Sequence, residues 1–222
     1  ISQAALADIN NDKNLEIIVP SMDSNLTGSI QAWNQEGNEA DSFPFKMTAW
    51  AGNAPAVGDL NNDGRLEIVA SSMDYKTYIL KDDGSPYMDA FKLEDPWAMS
   101  SPLIFNENND ENLEVLIKTF GSDSFDILSL NGSVEKIKFV PDEYKFELEF
   151  GTSPILADID DDDEPEILLS SSGVRYDHGS KFFALNLDGS IVEGWPKQIM
   201  EEKRTGMLKI QHATPMIRDL NK

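Results

Sequence analysis

The sequence predicts an all-β protein, a β-propeller of four-stranded antiparallel blades, with four blades and one inner strand of a fifth as part of a larger propeller. One observation is an acidic phrase that recurs at intervals of 51, 47, 52 and 61 residues along the 222-residue chain. A second is that each of the four full copies is followed by a short apolar run and then by a hairpin turn, and no segment requires a helix. A unit of roughly fifty residues is too small for its own core, whereas stacked blades cover each other's faces.

The repeats predict one propeller region that covers the whole chain. Its units span about 1–49, 50–97, 98–149 and 150–210, and a fifth unit begins at 211–222. Each unit reads as strand, acidic loop, strand, strand, turn and strand.

The inner strand of each unit is predicted to start four residues before the acidic phrase. Pro55, Pro102, Pro154 and Pro215 occupy that place, and Ala4 takes it in the first copy. Proline at the first residue of a strand removes no ladder hydrogen bond, so this position suits a strand start.

The second strand is predicted to begin at the last residue of the phrase. The runs are "EIIV" from Glu16, "EIVA" from Glu67, "EVLI" from Glu114 and "EILL" from Glu166. Continuous apolar runs of this length, rich in β-branched residues, are typical of strands that are buried on both faces.

The third and fourth strands are predicted to flank a hairpin turn. The third strands are "GSIQAW", "KTYILK", "FDILSL" and "KFFALNL", and an aromatic residue follows each turn. The two central residues of each turn are predicted to form a type I′ turn, which needs positive φ at both of them. These residue pairs are Glu36-Gly37, Asp83-Gly84, Asn131-Gly132 and Asp188-Gly189.

The acidic phrase itself predicts calcium loops. The copies read "DINNDKNLE" from Asp8, "DLNNDGRLE" from Asp59, "NENNDENLE" from Asn106 and "DIDDDDEPE" from Asp158, and "DLNK" from Asp219 is a partial fifth. Side-chain oxygens at positions 1, 3, 5 and 9 and a main-chain carbonyl at position 7 suit Ca²⁺, which binds six to eight oxygens. The predicted ligands, loop by loop, are Asp8, Asn10, Asp12, Asn14 and Glu16; Asp59, Asn61, Asp63, Arg65 and Glu67; Asn106, Asn108, Asp110, Asn112 and Glu114; and Asp158, Asp160, Asp162, Glu164 and Glu166.

Three or four bound Ca²⁺ ions are therefore expected. The loops are not EF-hands, because position 12 holds Val19, Ala70, Ile117 or Leu169 in place of a bidentate Glu. The alternative is that the acidic turns are ordinary solvated hairpin chemistry. Mg²⁺ suits the loops less well, since it retains water and takes few protein ligands.

Composition narrows the class of partner. The formal net charge is −22, which disfavours nucleic acids and anionic membranes. The chain has no cysteine, and no apolar stretch is long enough to span a membrane. No catalytic or organic-cofactor residue is predicted, but the polar segment "GVRYDHGSK" around His178 is a candidate binding loop, and the four tryptophans are expected to pack between blades.

The segment "NAPAVGDLNNDGRLEIVASS", residues 53–72, resembles the FG-GAP, or integrin-α-like, β-propeller repeat of bacterial secreted proteins. "TSPILADIDDDDEPEILLSS" and "SQAALADINNDKNLEIIVPS" are close variants. The resemblance implies calcium in the loop between the first two strands of a blade and an extracellular setting. The chain departs from the family in three respects. Position 6 is glycine only at Gly64, the third loop starts with Asn106, and four blades with one inner strand are fewer than the seven or so repeats that the family usually carries.

Three functions follow as hypotheses. The leading one is a secreted or cell-surface, calcium-stabilised module that acts in adhesion or binds an extracellular protein or glycan without catalysis. It binds no nucleic acid and does not insert into the membrane. The alternatives are a scaffold or part of a polysaccharide-degrading lyase or hydrolase, and an architectural spacer.

Overall fold

The fold is all-β, as predicted. The computed structural model describes residues 3–94, 100–106, 111–119, 122–139, 153–160, 162–170 and 181–198. Sixteen strands form four four-stranded antiparallel sheets in these ranges, which contain no helix. Accordingly, no helix of the described residues could cross a membrane. The inner strand predicted for a fifth unit lies outside the described residues.

The chain divides into two compact units, residues 1–119 with 126–135, and residues 120–125 with 136–222. Each sheet is a simple meander in which consecutive strands are neighbours. The first sheet contains β1 Ala5–Ala7, β2 Glu16–Met22, β3 Gly28–Trp33 and β4 Phe45–Lys46. The second contains β5 Ala56–Gly58, β6 Glu67–Ser72, β7 Lys76–Leu80 and β8 Phe91–Lys92.

The other two sheets repeat this order. The third contains β9 Leu103–Phe105, β10 Glu114–Lys118, β11 Ser124–Leu128 and β12 Val134–Lys138. The fourth contains β13 Ile155–Ala157, β14 Glu166–Ser170, β15 Lys181–Leu185 and β16 Lys197–Gln198. Every inner strand starts one residue after the predicted proline or Ala4, and every second strand starts at the predicted glutamate.

The register closes the acidic loop in the same way in each sheet. The position 9 glutamate pairs with the residue just before position 1. The four pairs are Ala7↔Glu16, Gly58↔Glu67, Phe105↔Glu114 and Ala157↔Glu166. The loop is therefore fixed at both ends by strand pairing, with the glutamate at its mouth.

The cores of the first unit lie between consecutive sheets. One cluster joins Ile18 and Ile30 of the first sheet to Ile68 and Leu80 of the second. Another joins the opposite face of the second sheet to Val115, Ile117 and Leu128 of the third. The second sheet thus buries both faces, as propeller blades do.

Burial on both faces, predicted for every second strand, is wrong for β2. All residues of β6 and β10 are buried, but along β2 burial alternates. Ile17 is 40% exposed, and its partner Leu6 on β1 is 62% exposed. The corresponding pair in the second sheet, Val57 and Ile68, packs against the first sheet, and that cover explains the difference.

The predicted type I′ turns are also wrong. Only the glycines have positive φ, at 82°, 77°, 89° and 84° for Gly37, Gly84, Gly132 and Gly189. In the first turn the Gly37 N–H donates to Asn34 O at 3.0 Å, and Asn34 N–H donates to Asn38 O at 2.9 Å. This is a three-residue hairpin loop whose last residue is left-handed. The glycine is the left-handed last residue of the loop, whereas a type I′ turn would also need positive φ at the residue before it.

Candidate metal centres

The side chain at position 1 organises the acidic loop. Asp8 Oδ1 accepts the N–H of Asp12 at 3.0 Å, and Asp8 Oδ2 accepts that of Lys13 at 2.8 Å. The second loop repeats this geometry, with Asp59 accepting from Asp63 at 3.0 Å and Gly64 at 2.8 Å. One carboxylate therefore fixes positions 5 and 6 of the loop.

Positions 3 and 5 each form a local Asx turn. In the first loop Asn10 Oδ1 accepts the Asp12 N–H at 2.9 Å, and Asp12 Oδ1 accepts the Asn14 N–H at 2.8 Å. The second loop has the same two bonds, at 3.0 and 2.8 Å. Because each oxygen accepts from a main-chain group two residues on, the side chains are held over their own loop.

The position 9 glutamate is the buried member of each loop. Glu16, Glu67 and Glu166 are 1%, 2% and 1% exposed. Their Oε2 atoms accept the N–H of position 2 at 3.0, 2.9 and 2.8 Å. Glu114 of the third loop is buried as well. The β-strand and this hydrogen bond together set each carboxylate at the base of its loop.

The electrostatics of the glutamates are unfavourable in the absence of a cation. Burial, together with the neighbouring Asp12 and Asp8, raises the pKa of Glu16 above its ordinary value, although the Ile9 N–H opposes the shift. Burial and neighbouring aspartates also raise the pKa of Glu67 and that of Glu166. A cation among these carboxylates would remove the repulsion that favours protonation.

The fourth loop brings three acids together most clearly. One carboxylate oxygen from each of Asp158, Asp160 and Glu166 lies within 4.8 Å of the others. Position 5 keeps its Asx turn, since Asp162 Oδ1 accepts the Glu164 N–H at 2.9 Å. The donors are all oxygens, which is the set that hard divalent cations take.

The third loop is described only in part. Asn106 is half-buried, Asn112 is exposed and Glu114 is buried, whereas Asn108 and Asp110 lie outside the described residues. The loop is tied to the second one, because Leu113 N–H donates to Leu60 O at 2.9 Å. The segment around His178 also lies outside the described residues, and both predictions stay open.

Residues 4–70 match the FG-GAP-like repeat. This match covers the first and the second acidic loop in full, and it agrees with the resemblance found in the sequence. No curated protein gives a significant match.

Three solved structures share the fold of this chain. The V. cholerae biofilm matrix protein Bap1 matches with a TM-score of 0.52 at 20% identity, over 85% of this chain and 38% of its own. BBS1N, from its complex with ARL6DN, matches with a TM-score of 0.56 at 12% identity, over 89% of this chain and 54% of its own. The C-terminal domain of Pseudomonas aeruginosa PilY1 matches with a TM-score of 0.57 at 12% identity, over 86% of this chain and 50% of its own. The chain thus spans between 38% and 54% of the length of these relatives, which share its fold.

The acidic loops keep the same backbone even where position 6 is not glycine. Position 6 is left-handed at Gly64, with φ of 86°, and also at Lys13 and Asp163, with φ of 74° and 69°. Position 4 is left-handed too, at 59° in Asn11 and 57° in Asn62. The loop conformation is therefore set by the Asx turns and the strand register, and the side chain at position 6 adapts to it.

Sequence reasoning missed the role of position 2. Ile9 and Leu60 are buried under the loop, and their N–H groups orient the position 9 glutamate. The signal was present as an apolar residue after the first aspartate in three of the four full copies. It also missed a link between loops, in which Asn11 Nδ2 donates to Gly64 O at 3.5 Å.

Proposed function

We propose that this chain is part of an extracellular, calcium-stabilised β-propeller that acts as an adhesion or ligand-binding module, with a protein or glycan as its ligand and no catalytic role. The observation that supports it most is the repeated loop geometry. Three described loops combine two or three aspartates with a buried glutamate that is held by the same main-chain bond, and in the fourth loop the acids lie close together. Solvated turns do not require a buried, hydrogen-bonded carboxylate at the same place in each copy.

Calcium would be a structural ion in these loops. Positions 1, 3, 5 and 9 would supply side-chain oxygens and position 7 a carbonyl, and the bound cation would offset the repulsion among the acids. Each site would stabilise the folded chain by about 2.7 kcal/mol at a free calcium concentration a hundredfold above its dissociation constant. Sites of this kind suit the extracellular space, where calcium-binding modules work with dissociation constants of roughly 10⁻⁴–10⁻³ M.

The adhesion role is supported by the kind of repeat and by the fold. The FG-GAP-like match lies over two acidic loops, and one protein of similar fold is a biofilm matrix protein. A propeller presents loops from a rigid scaffold, which suits recognition. The pronounced acidity of the surface would keep the module soluble.

The test is a calorimetric calcium titration of the chelator-stripped chain, with thermal melts in parallel. Three or four sites and a clear rise in melting temperature are expected. A triple variant that carries Glu16→Gln, Glu67→Gln and Glu166→Gln should lose the heat of the three described loops. If the wild type shows neither heat nor a shift in melting temperature, calcium is not part of this module.

A further inference from the structure

A surface cavity lies at the end of the second sheet opposite to its acidic loop. It has a volume of about 600 Å³ and is lined by Tyr75, Lys92, Leu93 and Glu94. Consecutive loops of a meander alternate between the two ends of the sheet. The β6–β7 hairpin and the segment after β8 therefore lie together, away from the loop between β5 and β6. The volume is within the range of small-molecule sites.

Tyr75 has a backbone conformation that the fold does not favour for tyrosine. It is the last residue of the three-residue hairpin loop 73–75, which is closed by the pair Ser72↔Lys76. Its φ is +68°, in the left-handed region where glycine or asparagine is preferred at this place. The side chain is not buried in return, since the residue is 42% exposed. Strain of this kind at an exposed aromatic residue indicates a role for the side chain itself.

The hairpin that presents Tyr75 is held in place. The Leu93 N–H donates to Tyr75 O at 2.7 Å, which fixes the loop to the segment after β8. Asp74 accepts from the hydroxyl of Thr48 and lies 3.6 Å from the ammonium of Lys76. The aromatic ring is thus carried by a fixed loop, which lowers the entropy lost when a ligand stacks on it.

The charge beside the ring is also unusual. Lys92 lies directly opposite Lys76 in the β7–β8 pair, and like charges in that relation repel. Asp74 pairs with Lys76, but Lys92 has no ion-pair partner among the described residues. A lysine on an outer strand also protects the sheet edge, and Lys46 of the first sheet does so opposite Ser29. Edge protection does not explain two facing lysines beside a cavity.

We propose that this cavity binds one uronic acid residue of a glycan through a short-range ion pair, because the net charge of −22 disfavours an extended polyanion. The Tyr75 ring stacks on the face of the sugar, the Lys92 ammonium pairs with its carboxylate, and Glu94 accepts a hydroxyl hydrogen bond. The described lining residues offer an exposed ring, a cation and an acceptor around a buried leucine, which suits a polar ring better than an apolar peptide anchor. The inference rests on the ligand-binding function proposed above and names its ligand, but it does not depend on calcium.

The experiment is a calorimetric titration of a glucuronic acid trisaccharide into the chain at fixed calcium, beside its carboxyl-reduced, neutral counterpart. The wild type should bind the acid in preference to the neutral sugar, more weakly at high salt. Tyr75→Gly should weaken binding about tenfold, which is about 1.4 kcal/mol. Because glycine relieves the left-handed strain, the melting temperature should stay level or rise, so lost binding cannot be ascribed to unfolding.

Two lysine variants complete the test. Lys92→Gln should weaken binding about fivefold and reduce its salt dependence, whereas the matched Lys46→Gln should bind as the wild type does. Equal binding of the two sugars would overturn the acidic ligand class. Wild-type affinity in Tyr75→Gly, or no binding of the acidic trisaccharide, would overturn the site. In those cases a positive calcium titration would leave the proposed function intact.

Discussion

Replacing Glu166 by glutamine should change stability in opposite directions with and without calcium. Without calcium, Glu166 is a buried carboxylate near two aspartates, and its charge opposes folding. Glutamine has the same shape, and its oxygen can still accept the Ile159 N–H that Glu166 accepts at 2.8 Å. With calcium, the same substitution removes a charged ligand.

The magnitude follows from the spacing of the acids. The oxygens of Asp158, Asp160 and Glu166 lie within 4.8 Å of one another, so each of the three pairs repels by about 0.9 kcal/mol at the dielectric constant of water. Glutamine removes two pairs, and the calcium-free variant should be more stable by about 1–2 kcal/mol. At calcium a hundredfold above the dissociation constant it should lose the site's contribution of about 2.7 kcal/mol, and the sign reverses.

The assay is urea unfolding of the wild type and the variant, each in chelator and in saturating calcium. Glu164→Gln is the matched control, because it removes the same charge from the same loop. Glu164 is exposed and contributes only its main-chain carbonyl to the predicted site. The control should keep the calcium-induced gain in full. A calcium-free Glu166→Gln that is less stable than the wild type, or one that keeps the full calcium gain, would refute the reasoning.

Three further predictions concern the backbone and pH. Lys13→Gly should stabilise the chain by about 0.5–1 kcal/mol in urea unfolding. Glycine removes the strain of the left-handed conformation at this position, and this gain exceeds the extra conformational entropy that glycine loses on folding. Gly28→Ala should cost about 3 kcal/mol or more, since its Cβ would lie 2.1 Å from Ala49 O, whereas Gly37→Ala meets no atom and should cost about 1 kcal/mol from its φ. The pKa of each of the three loop glutamates is raised above its ordinary value of 4.5 in the folded chain. At pH values just above 4.5, the calcium-free folded chain therefore binds more protons than the unfolded chain does. Calcium-free stability should therefore rise as pH falls through the raised pKa towards 4.5, while the calcium-induced gain shrinks, and the triple Gln variant should show a flatter pH profile.

Local signals in the sequence predicted the strands and the loops because both depend on nearby residues. The glutamate that ends each phrase starts a strand in all four sheets, and β3 has the bounds of the segment "GSIQAW". The Asx turns follow from the alternation of oxygen-bearing side chains, which act on main-chain groups two residues away. The set of calcium ligands stays a prediction, because the positions of the ligand oxygens around an ion depend on the ion itself.

Features that depend on distant residues were not predictable in this way. The exposure of Ile17 and the burial of Ile68 differ although both follow the loop glutamate, because only the second is covered by another sheet. The hairpin turns were assigned from a dipeptide, yet the pairing of Asn34 with Asn38 selects a loop one residue longer. No feature of the sequence singles out Tyr75, because its distinguishing property is a positive φ, which cannot be read from residue types.

The two ends of the second sheet should act independently, and a double variant tests this. Glu67 begins β6 and Tyr75 follows the end of that strand, so about 17 Å of strand separates them, at roughly 3.3 Å per residue. No described hydrogen bond joins the acidic loop to the β6–β7 hairpin directly. Effects of substitutions so far apart usually add to within about 0.5 kcal/mol.

Glu67→Gln should therefore remove one calcium site without altering trisaccharide affinity at saturating calcium, and Tyr75→Gly should do the converse. The double variant should show the sum of both changes in stability. A coupling energy well above about 0.5 kcal/mol would mean that β6 transmits strain between its ends. In that case calcium in the acidic loop would regulate the cavity, and a stabilising ion would also be an effector.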